Sequence, residues 1–491
     1  MRHPSTAISA VLLLALVLAG APVLAARSAP QAAPEPGCVI PGIKDGAPVY
    51  FRLDPCPEVV SWNGPPSSTP SPSLSPSPAP SSSASPTVTP TPSPQPSSSS
   101  APSPSPALPS PSPSSSPLPS PVGGAIVVNP GERIQAAVNA APAGSTVIVR
   151  AGVYAESVSI PRPLILAGEA GAVLDGGCGL THGVTVNNLP DVTVQGLTIR
   201  NYRGSGVQVY GQDADRISVL GNDIHDFACA GGSNSTYAGA SFWYSGSHQR
   251  VIGNTIRYRA AQPTRGGQNG IWFKSSDGAG EASGGYHTVT DNRVIGGWDG
   301  IGGEGEDSVH GVWDGNATVL RNHVSDCWDD GISAEGFTGG SHFSDNRVEN
   351  CGLGFANASR NNRGEVRFER NVITSNAVGY YGNQACFKLG DGGTQTAYIV
   401  GNRCTLTVGD GLAQTNAGIS TLVVTDNIWQ TGRYVYEITN LPRNGSTFDR
   451  NCLHTTDPTR FIKYGNVRYM TLPEFRAATG QEANGRLGPC E

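Results

Sequence analysis

Charged residues are scarce in this 491-residue chain: only 14% are Asp, Glu, Lys or Arg, whereas a typical soluble domain has about 25%. Together with a formal net charge of -6, this scarcity excludes a nucleic-acid-binding protein that works through bulk positive charge. Beyond the N-terminus, no apolar run is long enough to form a membrane-spanning helix. The histidines lack HxH and HExxH spacing and no cysteine pair has metal-ligand spacing, so we predict no transition-metal site.

The N-terminus carries the pattern of an export signal. A basic start is followed by an apolar run over Ala7–Gly20 and by small residues up to Ala25. This pattern predicts a signal peptide over residues 1–25, cleaved after Ala25. We therefore expect a secreted, extracellular protein, free or attached to the cell surface, whose ten cysteines lie in an oxidising compartment.

Composition divides the rest of the chain into three parts. Residues 26–64 form a small module that contains Cys38 and Cys56, to which we assign no function. Residues 65–122 are almost only Ser, Pro, Ala and Thr, a composition that predicts a disordered linker stiffened by proline. Residues 123–491 are long enough for one large hydrophobic core, so we predict a single folded domain there.

An internal repeat runs through that domain. Each unit contains an Asn, any residue and, in most units, an aliphatic residue. The Asn positions are Asn222, Asn254, Asn292, Asn322, Asn346, Asn371, Asn402 and Asn427, and Asn451 follows in step. Their separations return repeatedly to about 24 residues, which is typical of one coil of a parallel β-solenoid. We expect the Asn to adopt the left-handed turn conformation and to stack along the axis, bonded to one another.

The repeat and the start of the domain together resemble a known superfamily. A short helix over Ile134–Ala141 leads into a strand at Thr146–Arg150 and then into the segment Gly152–Glu156. With the repeat, this start is similar to right-handed parallel β-helix proteins of the pectate-lyase-like superfamily. The resemblance implies an all-β fold with a short N-terminal capping helix. It leaves the activity open, because the superfamily includes lyases, hydrolases, epimerases, esterases and phage adhesins.

A second anchor in each coil is a Gly followed by an inward apolar residue. The anchor pairs are Gly206-Val207, Gly239-Ala240, Gly270-Ile271, Gly300-Ile301, Gly331-Ile332, Gly354-Phe355 and Gly379-Tyr380. Four residues past the Gly, where strand alternation returns a side chain to the outer face, the column reads Tyr210, Trp243, Lys274, Glu304, Glu335, Ala358 and Asn383. The position before the Gly reads Ser205, Ala238, Asn269, Asp299, Asp330, Leu353 and Val378. Acidic residues therefore fall on the coils where the repeat is longest, which predicts a substrate groove there.

The acidic residues suggest a glycoside hydrolase. Because stacked coils lie about 4.8 Å apart, Asp299 and Asp330 should face each other, as should Glu304 and Glu335. Such neighbours raise one another's pKa, and a protonated carboxyl beside an ionised one is what cleavage of a glycosidic bond requires.

The adjacent acids Asp329 and Asp330 are similar to the arrangement in inverting β-helix hydrolases of the polygalacturonase and glucanase kind. The chain lacks the His-Gly and Arg-x-Lys elements of polygalacturonases in matching places, which makes galacturonan an unsuitable substrate. The resemblance implies Asp330 as general acid, with Asp329 and either Glu306 or Asp307 activating water. The working carboxyls should then lie about 6.5–9.5 Å apart.

The alternative enzyme is a calcium-dependent polysaccharide lyase. In such an enzyme the carboxylates bind Ca²⁺, and a basic residue such as Lys274 abstracts the α-proton of a uronate. Arg257 and Arg265 lie on or beside the longest loop and would contribute positive charge. Lys274 balancing the surrounding acids in solvent is the structural interpretation of the same residue. Apart from this calcium, we predict no cofactor.

A third interpretation is a non-catalytic β-helix that binds a glycan or a surface, and in all three interpretations we expect a monomer. The aromatic residues suited to stacking on sugars are Tyr210, Trp243, Tyr244 and Trp272. Trp298 and Trp328 share one offset in adjacent coils, so we expect them to stack on each other. In each interpretation the partner is an extracellular polysaccharide or glycan surface.

Cysteine positions suggest structural staples. Cys327 and Cys351 share one offset on adjacent coils and either form a disulfide or stack as thiols. Cys386 with Cys404 and Cys452 with Cys490 are further candidate pairs. Near the C-terminus, Tyr469–Gly480 is predicted to form a helix that caps the solenoid.

Overall fold

A computed structural model describes residues 124–229, 237–258, 268–304, 310–357, 363–376, 384–390, 394–414 and 419–490, and the backbone of two strands nearer the N-terminus. The predicted signal peptide, the linker and Cys56 lie outside the described residues. The chain splits into two compact units, Met1–Ser110 and Pro111–Glu491. In the first unit, strands Cys38–Lys44 and Ala47–Leu53 pair antiparallel. None of the helices in the described residues is long and apolar enough to cross a membrane.

The second unit is a right-handed parallel β-helix, as predicted, and its described strands form three sheets. Sheet 1 contains the strands Ala125–Val128, Thr146–Val149, Ile165–Gly168, Thr193–Gln195, Ser218–Leu220, Arg250–Ile252, Thr288–Thr290, Thr318–Leu320, Ser341–Ser344, Arg363–Glu369, Thr394–Val400, Thr421–Thr425 and Ser446–Asp449. Sheet 2 contains Gly152–Tyr154, Ala172–Asp175, Thr198–Arg200, Asp223–His225, Thr255–Arg257, Arg293–Ile295, His323–Ser325, Arg347–Glu349, Val372–Ser375, Arg403–Leu406, Ile428–Thr431, Cys452–Thr455 and Arg486–Leu487. Sheet 3 contains Val158–Ile160, Val184–Asn187, Val207–Tyr210, Ala238–Trp243, Asn269–Lys274, Ile301–Glu304, Asp330–Ser333, Leu353–Asn357, Ala385–Leu389, Asp410–Gln414, Tyr436–Ile438, Ile462–Tyr464 and Val467–Tyr469.

Short helices close both ends of the solenoid. Helix α1, Ile134–Ala140, buries Ile134 and Val138 against the first coils. Helix α2, Leu472–Thr479, begins at a capping box formed by Thr471 and ends at a left-handed Gly480. Its Phe475 is fully buried in the main core, so the predicted C-terminal cap is confirmed.

The asparagine ladder is present, but the left-handed residue is not the asparagine. From Asn222 to Asn427, each Asn donates its side-chain N–H to the Oδ1 of the next Asn at 2.9–3.1 Å. The positive φ belongs to the residue before it, for example 59° at Asp291 and 53° at Arg321. Our expectation that Asn supplies the turn conformation was therefore wrong. The Asn is buried because it satisfies backbone groups inside the turn.

The sheets differ in which of their faces are covered. Strands of sheets 1 and 2 mostly alternate buried and partly exposed residues, as in Thr146–Val149, because only one face meets the core. In sheet 3 both faces are buried along strands such as Asp330–Ser333, Leu353–Asn357 and Asp410–Gln414. Outward side chains along these three strands are therefore mostly buried, unlike those on the other two sheets.

The repeated glycines at the start of the sheet 3 strands have a packing cause. A Cβ added at Gly300 would overlap with Val324, and one at Gly331 would overlap with Val348. The glycines thus let an aliphatic side chain of sheet 2 pack against the backbone at the corner of each coil. Strand register also follows the predicted anchors from Val207 to Phe355.

The last predicted anchor pair, Gly379 with Tyr380, was placed wrongly. Phe355 pairs with Phe387, and Leu353 pairs with Ala385. The predicted Val378 and Asn383 therefore do not continue the two columns, and both lie outside the described residues together with Gly379, Tyr380 and Ala358.

Four disulfides connect coils in the described residues. The three predicted pairs, Cys327–Cys351, Cys386–Cys404 and Cys452–Cys490, are all formed. A fourth, Cys178–Cys229, was not predicted. The Cys327–Cys351 bridge comes directly before Trp328 and therefore fixes the coil that carries Asp329 and Asp330 to the next coil.

Candidate active site

Three carboxyl groups meet at the edge of sheet 3, and we call them the acid cluster. One carboxylate oxygen from each of Asp299, Asp329 and Asp330 lies within 4.8 Å of the other two. Asp299 and Asp330 occupy the same position on successive coils, and Asp329 precedes Asp330. The structure therefore brings together three of the acids that the sequence singled out.

The column that holds Asp299 and Asp330 faces away from the core. On the next two coils the same column is occupied by Leu353 and Ala385. These two residues pack with Ala413 in an apolar cluster of their own, separate from the main core. The acid cluster therefore lies on the outward face of sheet 3.

Backbone hydrogen bonds fix the acid cluster in place. The Asp299 N–H donates to Asn269 Oδ1 at 3.0 Å, and the Asp330 N–H donates to Asp299 Oδ1 at 3.0 Å. Asp299 thus has a structural role in the turn, because its carboxylate accepts the backbone N–H of the next coil. The same hydrogen bonds also hold the cluster rigidly, as a catalytic group requires.

Burial and mutual repulsion raise the pKa values in the cluster. Burial, then the charges of Asp330 and Asp329, raise the pKa of Asp299 well above its usual range. Burial raises the pKa of the partly exposed Asp329 to about 6, with Lys388 opposing this change and Glu335 reinforcing it. Near neutral pH the cluster therefore holds protonated and ionised carboxyls side by side.

Lys388 is the cation beside this cluster, and our sequence reasoning did not assign it to the site. Its Nζ lies 3.3 Å from Glu335 Oε1, although Glu335 belongs to a coil two turns earlier in the solenoid. Burial alone would lower the pKa of Lys388, but the charges on Glu335 and Asp330 raise it well above its usual range. Lys388 consequently stays protonated and faces the carboxyls. The signal that could have located it is its rarity, since the chain has only four lysines.

Two tryptophans flank the acids. Trp298 and Trp328 lie one residue before Asp299 and Asp329, respectively. Their ring centroids are 6.1 Å apart with a 41° interplanar angle, so the predicted contact between them is formed. Trp328 is partly exposed and borders the partly exposed Asp329.

The outer column lies at the opposite end of the sheet 3 strands. Its register runs from Tyr210 to Trp243 to Lys274 to Glu304, as predicted. Lys274 lies over the Trp243 ring at 5.1 Å from the centroid, which is a cation–π contact. Tyr244 contacts both Tyr210 and Trp243 edge-on.

Trp272 lies on the same outward face, between Ser241 and Gly302 of the neighbouring coils, and is 5% exposed. Its indole nitrogen is buried and has no hydrogen-bond partner among the described residues.

Some predicted site residues are not brought to this face. Arg257 lies on sheet 2, where its guanidinium pairs with Asp223 at 3.0 Å. Glu306, Asp307 and Arg265 lie outside the described residues, and of Glu304 only the backbone is described. The predicted roles of these four residues therefore remain predictions.

The chemistry available here is that of oxygen ligands and acid–base groups. Asp299, Asp329 and Asp330 are the group of described residues that could hold a metal ion. Carboxylate oxygens suit hard cations such as Ca²⁺ or Mg²⁺. Without a cation, a carboxyl with a pKa near 6 can donate a proton and its ionised neighbours can accept one.

Part of the chain matches a protein family model. The model of a family described as "Periplasmic copper-binding protein (NosD)" matches residues 168–405. No curated protein sequence matches the chain.

Solved structures give several similar folds. PfbA, a surface adhesin of Streptococcus pneumoniae, is 13% identical with a TM-score of 0.44, over 65% of this chain and 86% of the adhesin. Pectate lyase Pel9A is 14% identical with a TM-score of 0.33, over 70% of this chain and 78% of the lyase. The enzymatically active domain of tailspike protein 2 from bacteriophage CBA120 is 12% identical with a TM-score of 0.37, over 59% of this chain and 44% of the tailspike.

Proposed function

We propose that this chain, which has the right-handed parallel β-helix fold of the pectate-lyase-like superfamily, is an exported enzyme that cleaves glycosidic bonds in an extracellular polysaccharide. One observation carries the proposal: Asp329, partly exposed and with a pKa of about 6, lies within 4.8 Å of two further carboxyls. Hydrolysis of a glycosidic bond needs one protonated and one ionised carboxyl at the same place.

Asp329 is the general acid in this proposal. Its proton passes to the glycosidic oxygen as the bond between that oxygen and the anomeric carbon breaks. Our sequence-based assignment gave this role to Asp330, which is only 7% exposed. Asp329 is preferred because it combines access to solvent with a pKa suited to proton donation near neutral pH.

Glu335 is the general base. It lies outside the acid cluster, and the Lys388 ammonium at 3.3 Å stabilises its ionised form. Water attacks the anomeric carbon and loses its proton to this carboxylate, so the anomeric configuration inverts. An inverting pair needs a separation of about 6.5–9.5 Å, which the three clustered carboxyls do not provide among themselves. Glu306 and Asp307 are the sequence-based alternatives for this role.

A calcium-dependent lyase is the second candidate, and the three converging carboxylates are the observation that favours it. These residues fit Ca²⁺ in the chemistry of their donors, and a bound ion would neutralise the acid group of a uronate. The proton-abstracting base is the weak point of this candidate. Lys388 is unsuited because its raised pKa keeps it protonated, and Lys274 lies at the opposite end of the sheet 3 strands from the acid cluster.

The copper named in the matching family's description does not fit the described residues. Copper prefers imidazole or sulfur ligands, whereas the acid cluster offers carboxylates alone. The eight cysteines whose side chains are described are all in disulfides. We therefore assign no copper chemistry to this site.

The test is an activity screen on the full chain. The protein is incubated with neutral and acidic polysaccharides, with calcium or with a chelator, while reducing ends and the ultraviolet absorbance of unsaturated uronates are followed together. Reducing ends without absorbance support the hydrolase, and calcium-dependent absorbance supports the lyase.

Variants then test the assignment of residues. We expect Asp329→Asn to lower turnover about 100-fold or more, the range typical of a general acid. Asp345→Asn is the control, since Asp345 pairs with Arg370 on an exposed turn. Full activity in Asp329→Asn would reject the site. Binding of a glycan without turnover in any variant or in the parent protein would identify a binding protein instead.

Inversion at the anomeric carbon, read by NMR of the first product, is the expected stereochemistry.

A further inference from the structure

A second group of charged residues lies further along the outward face of sheet 3. Register leads from Asp330 to Leu353, then to Ala385, then to Asp410, so Asp410 lies in the column of the acid cluster three coils beyond it. At about 4.8 Å per coil, the two acids are about 14 Å apart along the axis. A chain molecule lying along this face would pass both.

The second group is closely connected. Asp410 is 4% exposed, and its Oδ1 accepts the Tyr434 N–H at 3.0 Å. Arg433 bridges the carboxyls, with Nη1 at 3.4 Å from Asp410 and Nη2 at 3.4 Å from Glu437. Lys463 Nζ approaches Glu437 at 3.0 Å. Burial raises the pKa of Asp410 to about 7 against the opposing charge of Arg433, so near neutral pH this carboxyl can both donate and accept.

The residues between and beside the two groups are apolar and almost completely buried. Leu353, Ala385 and Ala413 form the cluster that is separate from the core. Their exposed fractions are only 6%, 3% and 8%, so a bound chain would reach the second group from the side where the Arg433 side chain is 42% exposed.

Tyr434 supplies a further observation that points to a ligand. Its side chain is 2% exposed, and its hydroxyl has no hydrogen-bond partner among the described residues. The Arg433 guanidinium lies 5.9 Å from the centre of the Tyr434 ring, and its side chain is 42% exposed, so this side of the group is open to solvent. A buried hydroxyl without a partner costs free energy that an incoming oxygen atom would recover.

The charges of the group select the class of ligand. Asp410 and Glu437 are offset by Arg433 and Lys463, which disfavours a free cation as well as an anion. The acid cluster with Glu335 would also repel an anionic chain passing over it. Hydroxyl groups satisfy both signs of charge, because they donate to carboxylates and accept from guanidinium.

We propose that Asp410, Glu437, Arg433 and Tyr434 form a second sugar-binding site, which holds an uncharged sugar of the same chain whose glycosidic bond lies at the acid cluster. This inference rests on the proposed function and adds to it that the substrate is a neutral glycan spanning at least three coils.

The test is binding and turnover as a function of oligosaccharide length. Disaccharides, trisaccharides and hexasaccharides are prepared from neutral β-glucan, xylan, mannan and galactan, with oligogalacturonate and oligoalginate as anionic probes. Binding is measured by calorimetry on the full chain carrying Asp329→Asn, alone and combined with Glu437→Gln or Tyr434→Phe. The matched control is Tyr398→Phe, because Tyr398 also lies beneath an arginine, Arg367, but on sheet 1.

Glu437→Gln and Tyr434→Phe should each weaken binding of a neutral hexasaccharide about tenfold and leave binding of the disaccharide unchanged within about twofold. The control Tyr398→Phe should change neither affinity. Length-dependent binding without cleavage by the parent protein would retain this site and reject the proposed hydrolase. Cleavage with equal losses at all lengths, or with no loss at any length, would reject the second site and keep the hydrolase. Binding confined to the anionic oligosaccharides, or binding of none, overturns the inference.

Discussion

The elevated pKa of Asp329 predicts a specific dependence of stability on pH. Burial raises this pKa from 3.8 to about 6. A carboxyl whose folded-state pKa lies above its unfolded value binds its proton more tightly in the folded protein. Its stabilising contribution is therefore present below about pH 4 and is lost as the pH rises through about 6. Asp329→Asn replaces this group by a neutral side chain of the same shape, which removes the dependence.

The magnitude follows from the two pKa values. Because one pKa unit corresponds to about 1.4 kcal/mol, the difference between 3.8 and about 6 amounts to about 3 kcal/mol. Between about pH 4 and about pH 7.5, the free energy of unfolding of Asp329→Asn should rise by about 2 kcal/mol relative to the parent protein, because the unfolded carboxyl is already partly ionised at about pH 4. The charge of Asp329 also raises the pKa of Asp299, so its removal relieves Asp299 in the same direction.

The assay is guanidinium unfolding of both proteins with their disulfides intact, across this pH range. The control is Asp426→Asn, because hydrogen bonds from Arg450 lower the pKa of Asp426 and that carboxylate is already ionised throughout the range. Its difference from the parent should stay constant. A constant difference for Asp329→Asn, or one that changes in the opposite direction, would refute the buried, proton-retaining carboxyl.

Three further predictions concern the cation, the ladder and the disulfide next to the site. The positive charge of Lys388 lowers the pKa of the general acid, Asp329, and stabilises the ionised form of the general base, Glu335. Lys388→Met removes this charge, so both limbs of the pH–activity profile should move up by about one pH unit, whereas Lys388→Arg should leave them in place. Asn346→Ala leaves several buried hydrogen-bonding groups of the ladder unpaired and should lower the free energy of unfolding by about 3 kcal/mol, measured at constant pH; a loss below about 1 kcal/mol would contradict the ladder's role. Replacing Cys327 and Cys351 together by Ser removes a disulfide between residues 24 positions apart and should lower the free energy of unfolding by about 3 kcal/mol. If the disulfide also positions the acids, the same variant should bind glycan more weakly.

The architecture was predictable because a solenoid repeats one local solution. Each coil needs a buried amide at the same corner, so Asn recurs from Asn222 to Asn451 and reveals the coil length. The backbone conformation of the Asn was harder to predict, since a recurring Asn in a sequence is compatible both with a buried Asn and with an Asn of positive φ. In the structure the Asn is buried because its side chain forms the hydrogen bonds of the ladder. The left-handed conformation belongs to the preceding residue, which is Gly in some coils and Asp or Arg in others.

The site was predictable as far as the register could be counted. The column before the anchor Gly was right from Ser205 to Leu353, and the column four residues past it was right from Tyr210 to Glu304, because those coils carry the Gly anchor. Counting failed at Gly379, where the true partner of Phe355 is Phe387, seven residues beyond the predicted Tyr380. That error hid Lys388, which lies one residue past Phe387. Only the folded chain shows its ammonium reaching Glu335.

The sequence by itself determined the coil, its period, both caps and the presence of acids on neighbouring coils, because these follow from hydrogen bonding and burial within and between adjacent repeats. The tertiary structure alone decided which acids converge, which of them is exposed, and which distant cation faces them. Those properties depend on the strand register accumulated over several coils and on how deeply each carboxyl is buried. That burial is set by the surrounding side chains and loops. A pKa of about 6 at Asp329 is the consequence, since burial and the charge of Glu335 raise this pKa while Lys388, two coils away, lowers it.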